Sequence, residues 1–267
     1  MEEITSRQNP LCVHFRKLAA SRSYRQEQGE FFCDSPKLLQ EAILWGASVR
    51  TVLYTRRAQL PNLEGKDLRL VQVSEGVMAA VSPMDTPQGV VFSCGFSSQP
   101  LPDLLSPGRY LVLDGLQDPG NVGTILRTAD AFGCGGIFLL PGCADLYNPK
   151  TLRAAMGVHF RRALFPCTLD ALTGLLAASG TPLYAAALRA DTVDLRTVDL
   201  SNAAVAIGSE GRGVSPQVLE RCSQTLKIPM SPRCESLNAA VAAAVVLWEG
   251  FRGAAPQNAK EAGPWPL

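Results

Sequence analysis

Histidine is almost missing from this chain, which holds only His14 and His159. Its eight cysteines (Cys12, Cys33, Cys94, Cys134, Cys143, Cys167, Cys222 and Cys234) include no C-x-x-C pair. With so few partners no metal-ligand spacing exists, and no metal is expected. Several cysteines sit in apolar runs, where a reduced thiol behaves as a small hydrophobe. No run approaches the ~18 apolar residues of a membrane helix, so no membrane is expected as a partner. Excess charge of either sign is lacking too: the formal net charge is +1, so global charge does not argue for nucleic acid. No signal-peptide pattern is read at the start, where two glutamates lead into a polar, basic stretch. The expectation is a soluble cytoplasmic protein with reduced thiols.

A chain of 267 residues holds one large domain or two smaller ones. Residues 4–25 carry Arg7, Arg16, Lys17, Arg22 and Arg25 without an acid; such a cluster suits phosphates and equally a solvated face. Periodicity predicts helices over 1–20 and 36–46, strands over 49–54 and 68–73, a helix over 75–81 and a strand over 89–94. We read 1–95 as a small α/β domain and the proline-rich 96–108 as a linker. From 109 to 253 strands (110–114, 136–140, 182–188, 204–208, 225–229) alternate with helices (121–132, 149–157, 169–178, 215–221, 236–250). That alternation predicts a parallel sheet with helices on both faces. Residues 254–267 read as a frayed tail.

Three stretches carry candidate chemistry. In the first, the apolar strand Leu111–Leu113 runs into a loop, then a helix with Val122, Ile125, Leu126, Ala129 and Phe132 on its buried side. Asn121 stands where an N-cap belongs and Gly133 where a C′ glycine belongs. Asn121, Thr124, Arg127 and Thr128 share the polar flank, which suits a polar or phosphorylated ligand and equally a cap beside a solvated arginine. In the second, a buried strand ends in Gly208-Ser209-Glu210-Gly211-Arg212-Gly213. Glycines there let a backbone approach a ligand closely; the alternative is a tight strand-to-helix turn. The loop lacks the Gly-Lys-Ser/Thr ending of a phosphate P-loop. Gly133-Cys134-Gly135-Gly136 precedes a strand, the wrong side for a dinucleotide fingerprint. In the third, Leu226 to Met230 leads to Ser236-Leu237-Asn238 and an all-round apolar helix, read as buried. Ser236 and Asn238 also suit plain capping. Lys150 and Arg153 read as an ordinary exposed helix face.

Taken in order, NVGTILRTA, IGSEGRG and IPM…SLNAAVA resemble the three motifs of the SpoU-type, TrmH-like RNA 2′-O-ribose methyltransferases of the SPOUT class. KTLRAAMG resembles that family's segment between motifs one and two. Ser6-Arg7-Gln8-Asn9-Pro10, Leu18, Tyr24-Arg25 and Gly29-Glu30-Phe31-Phe32 are similar to its ribosomal-protein-like substrate-binding domain, although Cys33-Asp34-Ser35 stands where a Glu-Gly step is usual. The resemblance implies a trefoil knot in the C-terminal half and a homodimer whose sites draw on both chains. It implies an RNA substrate, ribosomal ahead of transfer RNA, and S-adenosylmethionine as methyl donor. Gly208, Glu210, Gly211, Ile228, Met230 and Leu237 would hold the donor.

The catalytic set implied by the resemblance is Arg127, Asn121, Glu210, Ser236 and Asn238. A guanidinium with a pKa above ~12 is a poor base, so Arg127 is expected to stabilise the developing alkoxide and fix the adjoining phosphate. Asn121 would orient Arg127 or the RNA. Glu210 would accept from the ribose or position Arg127. Ser236 and Asn238 would shape the pocket. Two other readings remain: a non-catalytic RNA-binding protein retaining the fold, and a nucleotide-dependent oxidoreductase, which lacks its glycine fingerprint here.

Overall fold

The computed structural model describes residues 2–96, 100–231, 233 and 236–253. Residues 97–99 of the expected linker, the expected tail 254–267 and Cys234 lie outside the described residues.

The N-terminal residues build a five-stranded sheet from β1 (Glu2–Ile4), β2 (Glu30–Asp34), β3 (Val49–Tyr54), β4 (Arg69–Val73) and β5 (Val90–Gly95), in the order β1-β4-β3-β5-β2. The pairs β1–β4 and β3–β4 are parallel; β3–β5 and β2–β5 are antiparallel. Helices α1 (Pro10–Ala20), α2 (Arg22–Gln28), α3 (Pro36–Leu44) and α4 (Glu75–Val81) accompany it. The helix expected over 1–20 is therefore a strand followed by a shorter helix. Asn9 caps α1, accepting from the Leu11 amide, and Pro10 stands at its first position, so the helix cannot extend backwards past them.

The second sheet holds β6 (Arg109–Asp114), β7 (Gly136–Leu139), β8 (Leu164–Pro166), β9 (Leu183–Ala186), β10 (Val193–Asp194), β11 (Ala203–Gly208) and β12 (Gln224–Lys227). Its order is β10-β12-β9-β11-β6-β7-β8, parallel throughout. Its helices are α5 (Pro119–Ala131), α6 (Pro149–Ala155), α7 (Leu169–Ala178), α8 (Pro216–Arg221) and α9 (Ala239–Arg252). Alternate residues of each strand face opposite ways. Leu111, Leu113, Val205 and Ile207 join the core under α5 and α9; Tyr110, Val112, Ala204 and Ala206 join the core under α7 and α8. The mixed α/β architecture read from the alternation is the one observed. Helix α9 is not buried all round, however: Ala239, Ala243 and Val246 are covered while Val241 and Trp248 are exposed.

The two sheets meet through side chains that a local reading assigns to solvent. Arg25, 3% exposed, donates to Leu18 O at 2.6 Å and pairs with Asp145 at 2.5 Å. Arg153 pairs with Asp34 at 2.8 Å, and Arg161 reaches both Glu41 and Asp130 at 2.8 Å. Burial pushes the Asp34 carboxyl up, against the pull of Arg153. Phe31, Phe96 and Tyr147 pack together, with ring centroids 4.6 Å apart for Phe31–Tyr147 and 4.5 Å for Phe96–Tyr147. Paired buried charges fix an orientation more than they add stability.

The imidazole of His159 lies in the same junction, 5.9 Å from the Tyr147 ring. Burial pushes its pKa down to about 4. An unfolded histidine takes up its proton near pH 6.5, so the folded state loses stability as pH falls from there towards 4 and gains nothing more above it. His159 should account for a loss of about 2 kcal/mol between pH 7 and 5 in urea unfolding, so His159→Phe should lose less than wild type. Equal losses would remove His159 from the acid response.

Candidate active site at the carboxyl edge of the parallel sheet

In the sheet order, β6 has β7 on one side and β11 on the other. The chain moves outward from β6 through β7 and β8, then returns to build the opposite half. Such a switch point opens a crevice at the carboxyl ends of the strands. The loops after β6 and β11 leave from this place.

The first loop leads into α5. Asp118, not Asn121, is the N-cap: its Oδ1 accepts from the Asn121 amide at 2.7 Å, with Pro119 following it. That hydrogen bond holds the Asp118 carboxyl below the usual range, helped by Lys150 at 3.3 Å. With the cap supplied one turn earlier, the Asn121 side chain is released for other work. Gly133 has a φ of +62° beyond the end of α5, as expected for a C′ glycine.

The second loop folds back on itself. Ser209 N donates to Gly213 O at 3.1 Å, and Gly213 N donates to Ser209 O at 2.8 Å. The Ser215 amide ties the loop to the end of β6 through Asp114 Oδ2 at 2.6 Å. Gly208 lies beneath the fold: a Cβ there would sit 2.0 Å from Gly213 C. Only glycine lets the chain pass so close.

Three sequence motifs then meet on one atom. Glu210 Oε1 accepts from Asn121 Nδ2 at 2.7 Å and from Asn238 Nδ2 at 2.5 Å. The Ala239 amide at the start of α9 adds a longer bond of 3.4 Å. Asn238 Nδ2 also lies 3.3 Å from Asn121 Oδ1. Asn238 is the N-cap of α9, its Oδ1 accepting from the Ala240 and Val241 amides. The Glu210 carboxylate thus faces a helix N-terminus, where negative charge is favoured. Its second oxygen has no partner among the described residues and remains able to accept from a hydroxyl or a guanidinium.

A cleft of about 520 Å³ opens here, walled by Asp114, Gly115, Asp118, Asn121, Glu210 and Gly211, among others. Asp114 and Asp118 add acidic groups to the wall; the sequence signals them only by position, Asp114 at the carboxyl end of β6 and Asp118 at the cap of α5. Of the remaining predicted residues, Ile228, Met230 and Leu237 are half-buried and Ser236 is exposed, and none of the four lines this cleft. Arg127 is exposed on α5, its side chain has no hydrogen bond or ion pair among the described residues, and it does not line the cleft. The fold brings Asn121, Glu210 and Asn238 together; a single chain does not bring Arg127 to them.

Residues 108–248 match the SpoU rRNA Methylase family, and residues 1–91 match the MRM3-like substrate binding domain. The chain is 32% identical over 248 residues to the 23S rRNA (guanosine(2553)-2′-O)-methyltransferase RlmP of Bacillus subtilis, covering 93% of this chain and 98% of that protein. It is 30% identical over 263 residues to the 23S rRNA (uridine(2479)-2′-O)-methyltransferase of Streptomyces viridochromogenes, covering 93% and 91%. The crystal structure of an AdoMet-bound rRNA methyltransferase from Sinorhizobium meliloti superposes with a TM-score of 0.85 at 30% identity, covering 94% of this chain and 97% of that one. A matching family model across the parallel sheet, near-full-length relatives and motif residues that converge in space lead to one conclusion: the chain belongs to the SpoU rRNA methylase family.

Proposed function

We propose that this protein methylates a ribose 2′-hydroxyl of ribosomal RNA, with S-adenosylmethionine as donor. The observation that carries the reading is the convergence of Asn121, Glu210 and Asn238, from three separate motifs, on one carboxylate oxygen. Relatives named for this reaction on 23S rRNA, one at a guanosine and one at a uridine, support ribosomal RNA as the substrate class.

The residues present fit the donor. Gly211 has nothing within 4 Å of an added Cβ, so its backbone is open to a ligand. Ile228, Met230 and Leu237 are half-buried and offer backbone groups beside apolar surface, which suits an adenine. Glu210 supplies negative charge beside a cationic sulfonium or a ribose hydroxyl. When bound, S-adenosylmethionine supplies an electrophilic methyl group. The protein must align the ribose with it and stabilise the oxygen as it loses its proton.

Within the site, Glu210 is held by Asn121 and Asn238 so that its free oxygen accepts from the ribose or aims a guanidinium. Arg127 stays protonated throughout and acts as a cation beside the developing alkoxide and the adjacent phosphate. Since one chain leaves it outside the cleft, we assign it to the site of a second copy. The α5–α9 face supports such a homodimer. On α9, Val241 and Trp248 are 49% and 52% exposed, with half-buried Val245 between them, an apolar stripe at helical spacing. On α5, Thr124, Arg127 and Ala131 are exposed, and Phe132 joins the two helices through Trp248, ring centroids 5.7 Å apart. The family's trefoil knot is part of this reading. We assign the protein to the cytoplasm: all seven cysteines among the described residues are free thiols, which suits a reducing compartment. No helix of the described residues is long and apolar enough to cross a membrane.

The test is mass-spectrometric mapping of ribose methylation in ribosomal RNA from cells with and without the gene. One 2′-O-methyl group should vanish on deletion and return with the gene. An unchanged map would contradict the reading.

A further inference from the structure

A second cleft, of about 680 Å³, lies between the two sheets, where the carboxyl ends of β7 and β8 face α2. It shares Pro141 and Gly142 with the first cleft as a common wall. Gly142 turns the chain there with a φ of +92°, and a Cβ on it would touch Gly115 Cα at 3.5 Å. The two clefts are thus neighbours across one turn. Resting on the proposed RNA methylation, we infer that this second cleft holds the nucleotide flanking the methylated ribose, unpaired and turned out of any helix.

Its lining suits that ligand. The half-buried rings of Phe96 and Tyr147 stand edge to face, interplanar angle 62°, and line the cleft together; aromatic rings are where unstacked RNA bases bind. Arg25 forms part of the wall, but its charge is matched by Asp145 and its geometry fixed by Leu18 O. The uncompensated charge is that of Arg22, an exposed residue one helical turn from the exposed Gln26. Neither side chain has a hydrogen bond or ion pair with any described residue, so both remain available. A guanidinium suits a phosphate, and a carboxamide presents a donor and an acceptor to a base edge. Stacking surface, cation and amide converge beside the methyl-transfer cleft, in a space of the size typical for a small ligand. The ion pairs between the sheets hold this geometry rigid, so the flanking nucleotide sets which ribose reaches Glu210.

Steady-state methylation of in vitro transcribed 23S ribosomal RNA, with labelled S-adenosylmethionine, separates the possibilities. Arg22→Ala should raise KM for RNA on the order of tenfold, leave kcat and S-adenosylmethionine affinity unchanged, and reduce the salt dependence of RNA binding by about 0.7 in slope. Gln26→Ala should change the preference among RNAs differing only at the flanking nucleotide. Both residues are exposed, and unchanged S-adenosylmethionine binding confirms that the variants fold. If wild type is active and both variants match it in KM, salt slope and preference, the flanking site is overturned. If wild type transfers no methyl group to ribosomal RNA, the proposed function itself fails.

Discussion

Arg127→Ala is expected to bind S-adenosylmethionine like wild type and to methylate ribosomal RNA about 10²–10³ times more slowly, the cost of losing one preorganised donor at a developing oxyanion. The split between binding and turnover follows from where the side chain lies. Arg127 is exposed on α5 and does not line the cleft of its own chain, so its removal disturbs neither the core nor the Glu210 cluster. Its neighbours Leu126 and Ile125 carry the packing, both fully buried. Calorimetry with S-adenosylmethionine and a single-turnover methylation assay measure the two halves of this expectation. Unchanged turnover would remove Arg127 from the chemistry. Lost donor binding would make it a structural residue instead.

Gly208→Ala should fail in the opposite way, losing donor binding and methylation together. The added Cβ would lie 2.0 Å from Gly213 C, 2.1 Å from Gly213 O and 2.2 Å from Val214 N. All three are backbone atoms, so no rotamer change relieves the overlap. The loop must open, breaking the paired bonds between Ser209 and Gly213 and carrying Glu210 away from Asn121 and Asn238. Overpacking of this kind costs about 1–3 kcal/mol, so affinity for S-adenosylmethionine should fall by about fivefold to about a hundredfold, with activity following. The strand itself should survive, because Ala203 to Ile207 are buried and paired with β6, and Ala204 to Ala206 also with β9. Wild-type affinity in this variant would show that the loop plays no part in holding the donor.

These two residues mark how far the sequence could be read. Long elements with clear periodicity declared themselves: α7 spans Leu169–Ala178, as its pattern predicts. Short elements did not. β8 and β10 have three and two residues, too few to show an alternation, and α2 was hidden by its polar sequence. The placement of the α5 cap illustrates a local ambiguity. Asp118 and Asn121 are both good caps, and only the position of Pro119 favours the earlier one. Arg25 and Arg153 illustrate a different limit. Each pairs with an acid about 120 positions away, Arg25 with Asp145 and Arg153 with Asp34. Nothing in a sequence window separates such a residue from a solvated or phosphate-binding one. The Glu210 cluster was legible only as three motifs in order. That they meet on a single oxygen depends on the strand order β11-β6 and on the cap position of Asn238. Arg127 is exposed and outside the cleft of its own chain, and no sequence window tells a residue that serves a second copy from a solvated one.

The central claim is that the site is completed by Arg127 from a second copy, and mixing two inactive variants tests it most directly. Arg127→Ala and Glu210→Ala are each unfolded, combined in equal amounts and refolded, alongside each variant refolded alone. If Arg127 serves its partner's site, a mixed dimer keeps one intact site, and random pairing restores about a quarter of wild-type methylation. If Arg127 serves its own chain, every site in the mixture lacks one residue. No recovery of activity in a mixture shown to contain mixed dimers would contradict the account.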